Sequence, residues 1–542
     1  MSYDAIVVGA GHNGLVCAAY LARAGLRVVV VERSDWVGGA CVTEELFPGF
    51  RMSTASYSLS LLLPKIVADL RLDLDLRARD PVLFAPYEEG GGLCLWADPA
   101  RKREALSELS RADADAYPRF YETIDEAARI LRPLLTYPAT RKQARRAFRR
   151  SGIENLFDKT IDGSVADLVE DHFEHDFVRG LIASQGITGT AGGPRTPGTA
   201  YVFLHHAFGM ATGRSGGWGF VRGGMGVITQ QLADRVRAAG GEIRLEAEVA
   251  LVKLDDRRRA AGVALASGEE IDAPIVCSNA HPRITLGFVD RTLWAREYAE
   301  DVELVPTSGT VVKVNCALSR LPRFKGMGDA RAPGPEHTGM IIVGPSIDYL
   351  EDACRAAAEG RPADPMFCEA WIQTATEPEL APEGKHTLSV FAMYAPYTLS
   401  EGTWDERRDE IGDKVLGTLD HYAPGLMDLV EDRLVLGPPD LERRFGLVGG
   451  HIFHGELLPE WIFDRRPSRG WHRYRTPLPG LYLCGSGAHP GGGVCGAPGL
   501  NASRAVLEDL VASGVSAPQA APGPNAESRS HAAPSRPRAS PR

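Results

Sequence analysis

The sequence lacks closely spaced cysteines, and this absence excludes a local dithiol relay and a disulfide framework. Its nine cysteines are scattered over 542 residues without a CxxC pair. Cys41 stands alone after the first conspicuous motif, and the next cysteine is Cys94, so no local dithiol relay for electrons can form there. The absence of a disulfide framework is typical of a reducing compartment.

Long hydrophobic runs and a leader segment are also missing. No apolar run approaches the roughly 20 residues that cross a bilayer. The first strand-like run begins by Tyr3, which leaves no room for a signal or transit peptide. We therefore expect a cytoplasmic protein of bacterial type. The formal net charge of −10 argues against general binding of nucleic acid.

Length and composition favour two folded domains and a short tail. The chain exceeds the size of one compact domain, and its 44% hydrophobic residues can fill a large core. Residues 513–542 are rich in Pro, Ala and Ser and poor in apolar side chains. This composition predicts a disordered tail.

The first forty residues have the spacing of a dinucleotide-binding βαβ unit. An apolar strand from Tyr3 to Val8 leads into a glycine-rich loop, a helix over residues 15–24 and a buried strand over residues 26–31. The loop reads Gly9, Ala10, Gly11, His12, Asn13 and Gly14. In such a unit the first glycine makes the turn, the second lets the backbone approach a pyrophosphate, and the third packs helix on strand.

The residue after the second strand limits the nucleotide. Glu32 can accept hydrogen bonds from ribose hydroxyls, and its carboxylate would repel a 2′-phosphate. The ligand is therefore FAD or NAD and not NADP. No second complete GxGxxG unit follows a strand, so we expect no built-in NAD domain.

Three further segments resemble FAD proteins of the glutathione-reductase-like superfamily. Arg33 is followed by Gly38, Gly39 and Ala40, an extension that runs along the flavin in that superfamily. A strand over residues 481–484 ends in Gly485 and Ser486. A helix that begins at the glycine-rich segment 223–226 is followed by a strand from residue 242, and Val249 then takes the usual adenine-contact position. The resemblance implies that these separated segments meet on one FAD.

The chain as a whole resembles the phytoene desaturase-like FAD oxidoreductases. Their C-terminal signature is similar to residues 485–494, which run from Gly485 through His489 and Pro490 to Val494. Still closer is the group of pyridine nucleotide-disulfide oxidoreductase domain-containing protein 2 and its bacterial relatives. Segments 186–189, 196–198, 204–206, 217–220, 278–280 and 450–454 are similar to that group, whose vertebrate member is mitochondrial and linked to mitochondrial function. This chain has no extension for import, so that location is not carried over.

The resemblance implies an α/β fold of the phytoene desaturase/amine oxidase superfamily. A discontinuous Rossmann-type FAD-binding domain would comprise residues 1–80, 215–290 and 436–512. An inserted α+β substrate domain would comprise residues 81–214 and 291–435. Residues 101–180 have a mostly helical pattern, and strand-like runs lie at 310–314, 340–343, 368–372 and 387–391.

The predicted activity is removal of a hydride from an apolar small molecule to flavin N5. Oxygen, a quinone or a diffusing acceptor would then reoxidise the flavin. Two alternatives remain open. One is an escort of prenylated proteins, which shares the architecture without using FAD. The other is a regulatory or partner-binding protein that retains FAD.

Histidines and a basic run supply the other candidates. His489 could move protons beside the flavin, or it could anchor its loop by hydrogen bonds. The group His172, Glu174, His175 and Asp176 and the pairs His205–His206 and His451–His454 do not complete a ligand set, so we expect no metal. Trp218 and Phe220 are candidates to cover the flavin or to fill the core. Residues 141–150 hold six basic side chains, which favour a solvated helix face or contact with an anionic membrane surface.

Overall fold

A parallel sheet of five strands forms the nucleotide-binding half of the protein. The computed structural model describes residues 3–514, so the predicted disordered tail lies almost wholly outside the described residues. The spatial order of the strands is Leu481–Leu483, Val276–Ser278, Ala5–Val8, Val28–Val31 and Glu242–Arg244. All neighbouring pairs are parallel. Separated parts of the chain therefore build one sheet, as the resemblance implied.

Valine fills the centre of this sheet because both of its faces are covered. Val28 and Val30 pack into the hydrophobic cluster on one face, whereas Val29 and Val31 pack into the cluster on the other. β-Branched side chains suit such a strand, which has no solvated face. The helices on the first face are His12–Arg23, Pro64–Asp69, Gly226–Ala238 and Ala497–Ala512. The second face carries the antiparallel strands Val249–Leu254, Ala260–Leu265 and Glu270–Asp272, with the helices Pro282–Gly287 and Arg296–Leu304 nearby.

A second, mixed sheet of seven strands forms the other half. Its spatial order is Val430–Leu436, Val312–Leu318, His386–Met393, Phe367–Trp371, Met340–Val343, Leu83–Pro86 and Gly92–Leu95. The pairs are antiparallel except for the one between Met340–Val343 and Leu83–Pro86. Four of the strands coincide within a few residues with the strand-like runs in the sequence. Two short antiparallel ribbons complete the strands: Thr43–Phe47 with Phe50–Ser53, and Leu76–Ala78 with Gly219–Val221.

Helices cover the second sheet and supply one wall of the space between the two halves. Seven of these helices precede the sheet's central strands in sequence: Pro99–Leu109, Arg111–Leu131, Arg141–Arg150, Glu154–Phe157, Val165–Glu170, Asp176–Ala183 and Thr199–His206. Pro335–Thr338, Ile347–Ala358, Trp404–Asp420 and Pro438–Phe445 follow. Within residues 3–514, no helix combines the length and the apolar character needed to cross a membrane. The exact domain boundaries stay a prediction, and the strand Val430–Leu436 reaches one residue beyond the predicted boundary at 435.

The basic helix Arg141–Arg150 divides its cations between two faces. Arg141, Arg145 and Arg149 form ion pairs with Asp162, Asp158 and Glu154, respectively. Lys142, Arg146 and Arg150 are exposed and have no acidic partner within residues 3–514. Half of the charge is therefore used within the fold. Contact of the remaining stripe with an anionic surface stays a prediction.

Candidate functional site

A deep cleft runs between the two sheets and begins at the glycine-rich loop. It holds about 1900 Å³ of space free of protein atoms, part of it open to solvent. One end is lined by the loop and by the ends of the parallel strands, and the other by the central strands of the mixed sheet. Ligands of open parallel sheets bind outside the carboxyl ends of the strands, where this cleft lies.

The glycine loop leaves no room for side chains at its tightest point. Gly9 has a φ of +96°, which L residues with side chains rarely adopt. A Cβ on Gly14 would lie 2.1 Å from the carbonyl oxygen of Gly9. The helix then begins at His12, three residues earlier than predicted, with Gly11 as its N-cap. Its free N–H groups and positive end face the cleft and suit a pyrophosphate.

Glu32 is held by the backbone at the rim of the same cleft. The Ala10 amide donates to Oε2 of Glu32 at 2.7 Å, and the Ser34 amide donates to Oε1 at 3.0 Å. The carboxylate is therefore fixed in position and ties the glycine loop to the end of the second strand. It borders the cleft, where ribose hydroxyls would find a charged acceptor.

The structure brings most of the predicted cofactor-binding residues to this one cleft. The cleft is lined by Gly9, Gly11, His12, Asn13, Glu32, Arg33, Gly38, Gly39, Ala40, Val249, Ser486 and Val494. Three others stand behind the lining. Ala10 supports Glu32 through its amide, Gly14 packs on Gly9, and Gly485 packs on the backbone of Asn279. Their assignment to the cofactor stays a prediction that the geometry favours.

His489 does not border the cleft. Its Nε2–H donates to the carbonyl oxygen of Leu134 at 2.8 Å, and its own carbonyl accepts from the Tyr474 hydroxyl at 3.1 Å. Burial lowers the pKa of the imidazole to about 4. These contacts favour the anchoring alternative over a proton-transfer role.

Histidines other than His489 do reach the cleft. His12 was predicted there as part of the glycine loop, whereas no pattern in the sequence pointed to His281. His12, His281 and His454 line the cleft, and the rings of His281 and His454 stack at 5.5 Å. Nδ1 of His281 accepts from the Arg283 amide, so Nε2 carries the proton. The buried polar atoms that lack a partner in the described part of the chain include His12 Nε2, Asn13 Oδ1, His281 Nε2 and His454 Nδ1. Unpaired buried polar atoms beside a helix N-terminus fit a ligand rich in phosphate and hydroxyl oxygen, as FAD is.

The far end of the cleft contains a buried polar cluster that the sequence did not reveal. Lys313 borders the cleft, is only 1% exposed and donates from Nζ to the Ser389 hydroxyl at 2.5 Å. Its Nζ lies 4.5 Å from the ring centre of Tyr57 and 4.9 Å from that of Trp371. Burial lowers the pKa of Lys313 to about 7, although attraction to Glu369 opposes this shift. The one sequence feature that could have pointed to this buried cluster was a lysine within the apolar run 311–314.

Glu369 connects this cluster behind the cleft wall. Its Oε2 accepts from the Tyr57 hydroxyl at 3.2 Å, and its Oε1 accepts from Nε2 of Gln185 at 2.9 Å. Burial raises the pKa of the Glu369 carboxyl. Arg79 stands nearby, stacked on Phe220, with Nε and Nη2 unpaired in the described structure. Ionisable groups buried this deeply next to a cleft are a common mark of an active site.

The remaining candidates fall on either side of the cleft wall. Trp218 and His206 line the cleft, with ring centres 5.6 Å apart. Phe220 is packed in the core beneath Arg79. Across residues 3–514, no three His, Cys, Asp or Glu side chains are grouped so that they could hold a metal ion.

Comparison with known proteins gives a family match over most of the chain. The family described as flavin containing amine oxidoreductase matches residues 14–507. The mouse pyridine nucleotide-disulfide oxidoreductase domain-containing protein 2 is 37% identical over 544 residues, covering 94% of each chain. One of the chains of the limonene dehydrogenase of Castellaniella defragrans is 25% identical and covers 94% of this chain and 95% of its own. The neurosporene-forming phytoene desaturase of Rhodobacter capsulatus is 24% identical and covers 90% of this chain and 91% of its own.

Solved structures share the fold at lower identity. An oxidoreductase from Methanosarcina mazei superimposes with a TM-score of 0.62 at 18% identity, covering 93% of this chain and all of its own. The predicted architecture, a Rossmann-type FAD-binding domain with a substrate domain, is thereby confirmed. The resemblance drawn from the sequence motifs is confirmed by the sequence relatives.

Proposed function

The chain belongs to the family of flavin-containing amine oxidoreductases, and we propose that it oxidises a largely apolar small molecule by hydride transfer to its cofactor. It is an oxidoreductase, and the cofactor is FAD. The glycine loop 9–14, Glu32 and the histidines His12, His281 and His454 would hold the nucleotide. When bound, the flavin supplies an acceptor for a hydride at N5.

One observation carries the proposal: a single cleft joins the glycine loop to an apolar chamber that ends at Lys313. Val311, Phe391, Ile452 and Phe453 line this chamber. A substrate in it would share the cleft with the nucleotide. Apolar walls with a few polar groups are typical of sites that bind small molecules.

Lys313 is the residue of this chain best placed to handle a proton. Hydride removal from a C–H bond next to a hydroxyl, amine or second C–H leaves a proton to be taken up. An amine with a pKa of about 7 is partly neutral near pH 7, so Nζ can accept a proton there. Ser389 and Asn315 keep Nζ in place, because the Ser389 hydroxyl donates onward to Oδ1 of Asn315 at 2.6 Å.

The named substrates of two relatives support the apolar class. Limonene and phytoene are hydrocarbons, and the enzymes named for them align with this chain over at least 90% of its length. Among the described residues the cysteines are free, and the three whose thiols contact one another, Cys17, Cys277 and Cys484, are buried and do not line the cleft. This placement supports direct exchange between flavin and substrate, without a disulfide relay.

The experiment begins with the visible spectrum of the purified protein and identification of the released chromophore. Anaerobic stopped-flow mixing with limonene, a long polyene and primary alkyl amines then follows bleaching of the flavin. We expect bleaching with at least one apolar compound, and slower bleaching in Lys313→Met than in the control Lys142→Met, which removes an exposed lysine. A flavoprotein that no compound bleaches would favour the partner-binding alternative, and a colourless protein that refuses FAD would favour the escort.

A further inference from the structure

His206 places a free hydrogen-bond acceptor in the wall of the substrate chamber. The residue ends the helix Thr199–His206, lines the cleft and is 7% exposed. Its ring stands edge-on to Trp218, with centroids 5.6 Å apart, and tilted against Phe453 at 6.3 Å. The packing fixes the plane of the imidazole, so its two nitrogens point in defined directions.

The hydrogen bond at Nδ1 determines which nitrogen holds the proton. Nδ1 lies 2.9 Å from the carbonyl oxygen of Gln185, which can only accept. Nδ1 therefore carries the hydrogen. Burial lowers the pKa of His206 to about 4, so the ring is neutral near pH 7. Nε2 then presents a lone pair, and it has no partner within the described residues.

A second polar atom without a partner borders the same part of the cleft. Ser60 lines the cleft, is 1% exposed, and its hydroxyl oxygen has no hydrogen bond in the described structure. Ser60 packs on Gly209, whose amide donates to the carbonyl oxygen of His206. Unpaired buried polar groups cost free energy unless a ligand satisfies them. A ligand group that donates a hydrogen bond would satisfy Nε2 of His206, and a polar ligand group could also satisfy the Ser60 hydroxyl.

We propose that Nε2 of His206 accepts a hydrogen bond from a hydroxyl or amine of the substrate, which is otherwise apolar. This inference rests on the proposed function, because it assigns the substrate class of the same cleft. A pure hydrocarbon would leave Nε2 unpaired when it displaced water from the chamber. His206 thus selects substrates that carry one hydrogen-bond donor over pure hydrocarbons.

The neighbouring His205 supplies a matched control. Its Nε2–H donates to the carbonyl oxygen of Gly492 at 3.0 Å, and it does not line the cleft. Phenylalanine preserves most of the ring volume at either position. His206→Phe therefore removes the acceptor at the cleft, whereas His205→Phe tests for general damage to the same helix.

The test measures binding to the FAD-loaded protein through perturbation of the flavin absorption bands. The probes are 1-decanol, decylamine and methyl decyl ether, which share an apolar chain but differ in the donor. We expect the wild-type protein and His205→Phe to bind 1-decanol or decylamine about tenfold more tightly than the ether, the effect of one hydrogen bond. In His206→Phe the preference should disappear while binding of the ether persists.

Three results would overturn the inference. The first is equal binding of donor and ether by the wild-type protein, and the second is no spectral change with any probe up to its solubility limit. The third is a donor preference that survives in His206→Phe. Failure of the proposed function would give a different result. The FAD-loaded protein would bind the probes with the donor preference, but no substrate would reduce its flavin.

Discussion

Glu32 gives a direct test of the cofactor site, because its effect on FAD affinity can be measured without a known substrate. The carboxylate is fixed by the amides of Ala10 and Ser34 at 2.7 and 3.0 Å and borders the cleft. Two ribose hydroxyls can donate to it. Hydrogen bonds to charged groups contribute about 1.5–3 kcal/mol each, so losing both would cost about 3 kcal/mol or more.

Glu32→Ala should therefore weaken FAD binding by at least about 100-fold. Glu32→Gln keeps one acceptor but turns an NH₂ group towards an amide donor, so a loss of about tenfold is expected. The measurement is quenching of flavin fluorescence as FAD is titrated into apoprotein. Circular dichroism of the same samples checks that the fold is retained.

The matched control is Glu248→Ala, which removes an exposed carboxylate from the same cleft. No backbone amide within residues 3–514 donates to the Glu248 side chain, so its removal should change the dissociation constant less than about twofold. Equal affinities for wild-type protein and Glu32→Ala would refute the assignment of Glu32 to the ribose. Equal losses in both alanine variants would show a general effect of charge in the cleft.

Three further predictions concern Lys313, the glycine loop and His489. With a substrate found in the panel, flavin reduction should become faster as the pH rises through about 7, because Nζ of Lys313 then loses its proton. Lys313→Met should reduce its flavin slowly at every pH and lack this transition. A Lys313→Met variant that kept the transition would contradict the role of Lys313 as proton acceptor. Gly14→Ala should abolish FAD loading and lower the melting temperature, because its Cβ would lie 2.1 Å from the carbonyl oxygen of Gly9. The control is Gly287→Ala, whose Cβ would meet open space. It should match the wild-type protein in melting temperature and in flavin absorbance per protein. The folded-state pKa of His489, about 4, is below the ordinary 6.5, so its contribution to stability is complete above pH 6.5 and is lost as the pH falls towards 4. His489→Gln can still donate a hydrogen bond to the carbonyl oxygen of Leu134, so its melting temperature should depend less on pH in this window. The variant should also keep its FAD and its turnover per flavin. Retained FAD with lost turnover would instead support a catalytic His489.

The nucleotide end of the site was predictable because its signals are local. Gly9, Gly14 and Glu32 lie within one βαβ unit, and each residue type follows from a backbone contact inside that unit. The C-terminal strand and Val249 required knowledge of the superfamily, since nothing in their own neighbourhoods indicates a nucleotide. The sequence therefore predicted most of the residues at the nucleotide end of the cleft, but not those at the other end.

The substrate end could not be predicted, because its residues come from distant parts of the chain. Tyr57, Gln185, Lys313 and Glu369 lie on four separate segments that meet only in the folded protein. His489 shows how a sequence pattern can leave two roles open. Its neighbouring glycines suggested a flavin contact, whereas its partner proved to be the carbonyl oxygen of Leu134, 355 residues away in sequence.

The buried cluster around Lys313 bears on function because it is unfavourable for stability. Moving charged groups out of water costs several kcal/mol per ion, and apolar side chains of similar size would often be more stable. Lys313 and Glu369 are both nearly inaccessible, and burial shifts their pKa values towards the neutral forms. The backbone cradle at one end needs only glycine and one carboxylate to hold a common cofactor. Under the proposed function, the chemistry specific to this protein resides in the side chains at the other end, where Lys313 and His206 border the cleft.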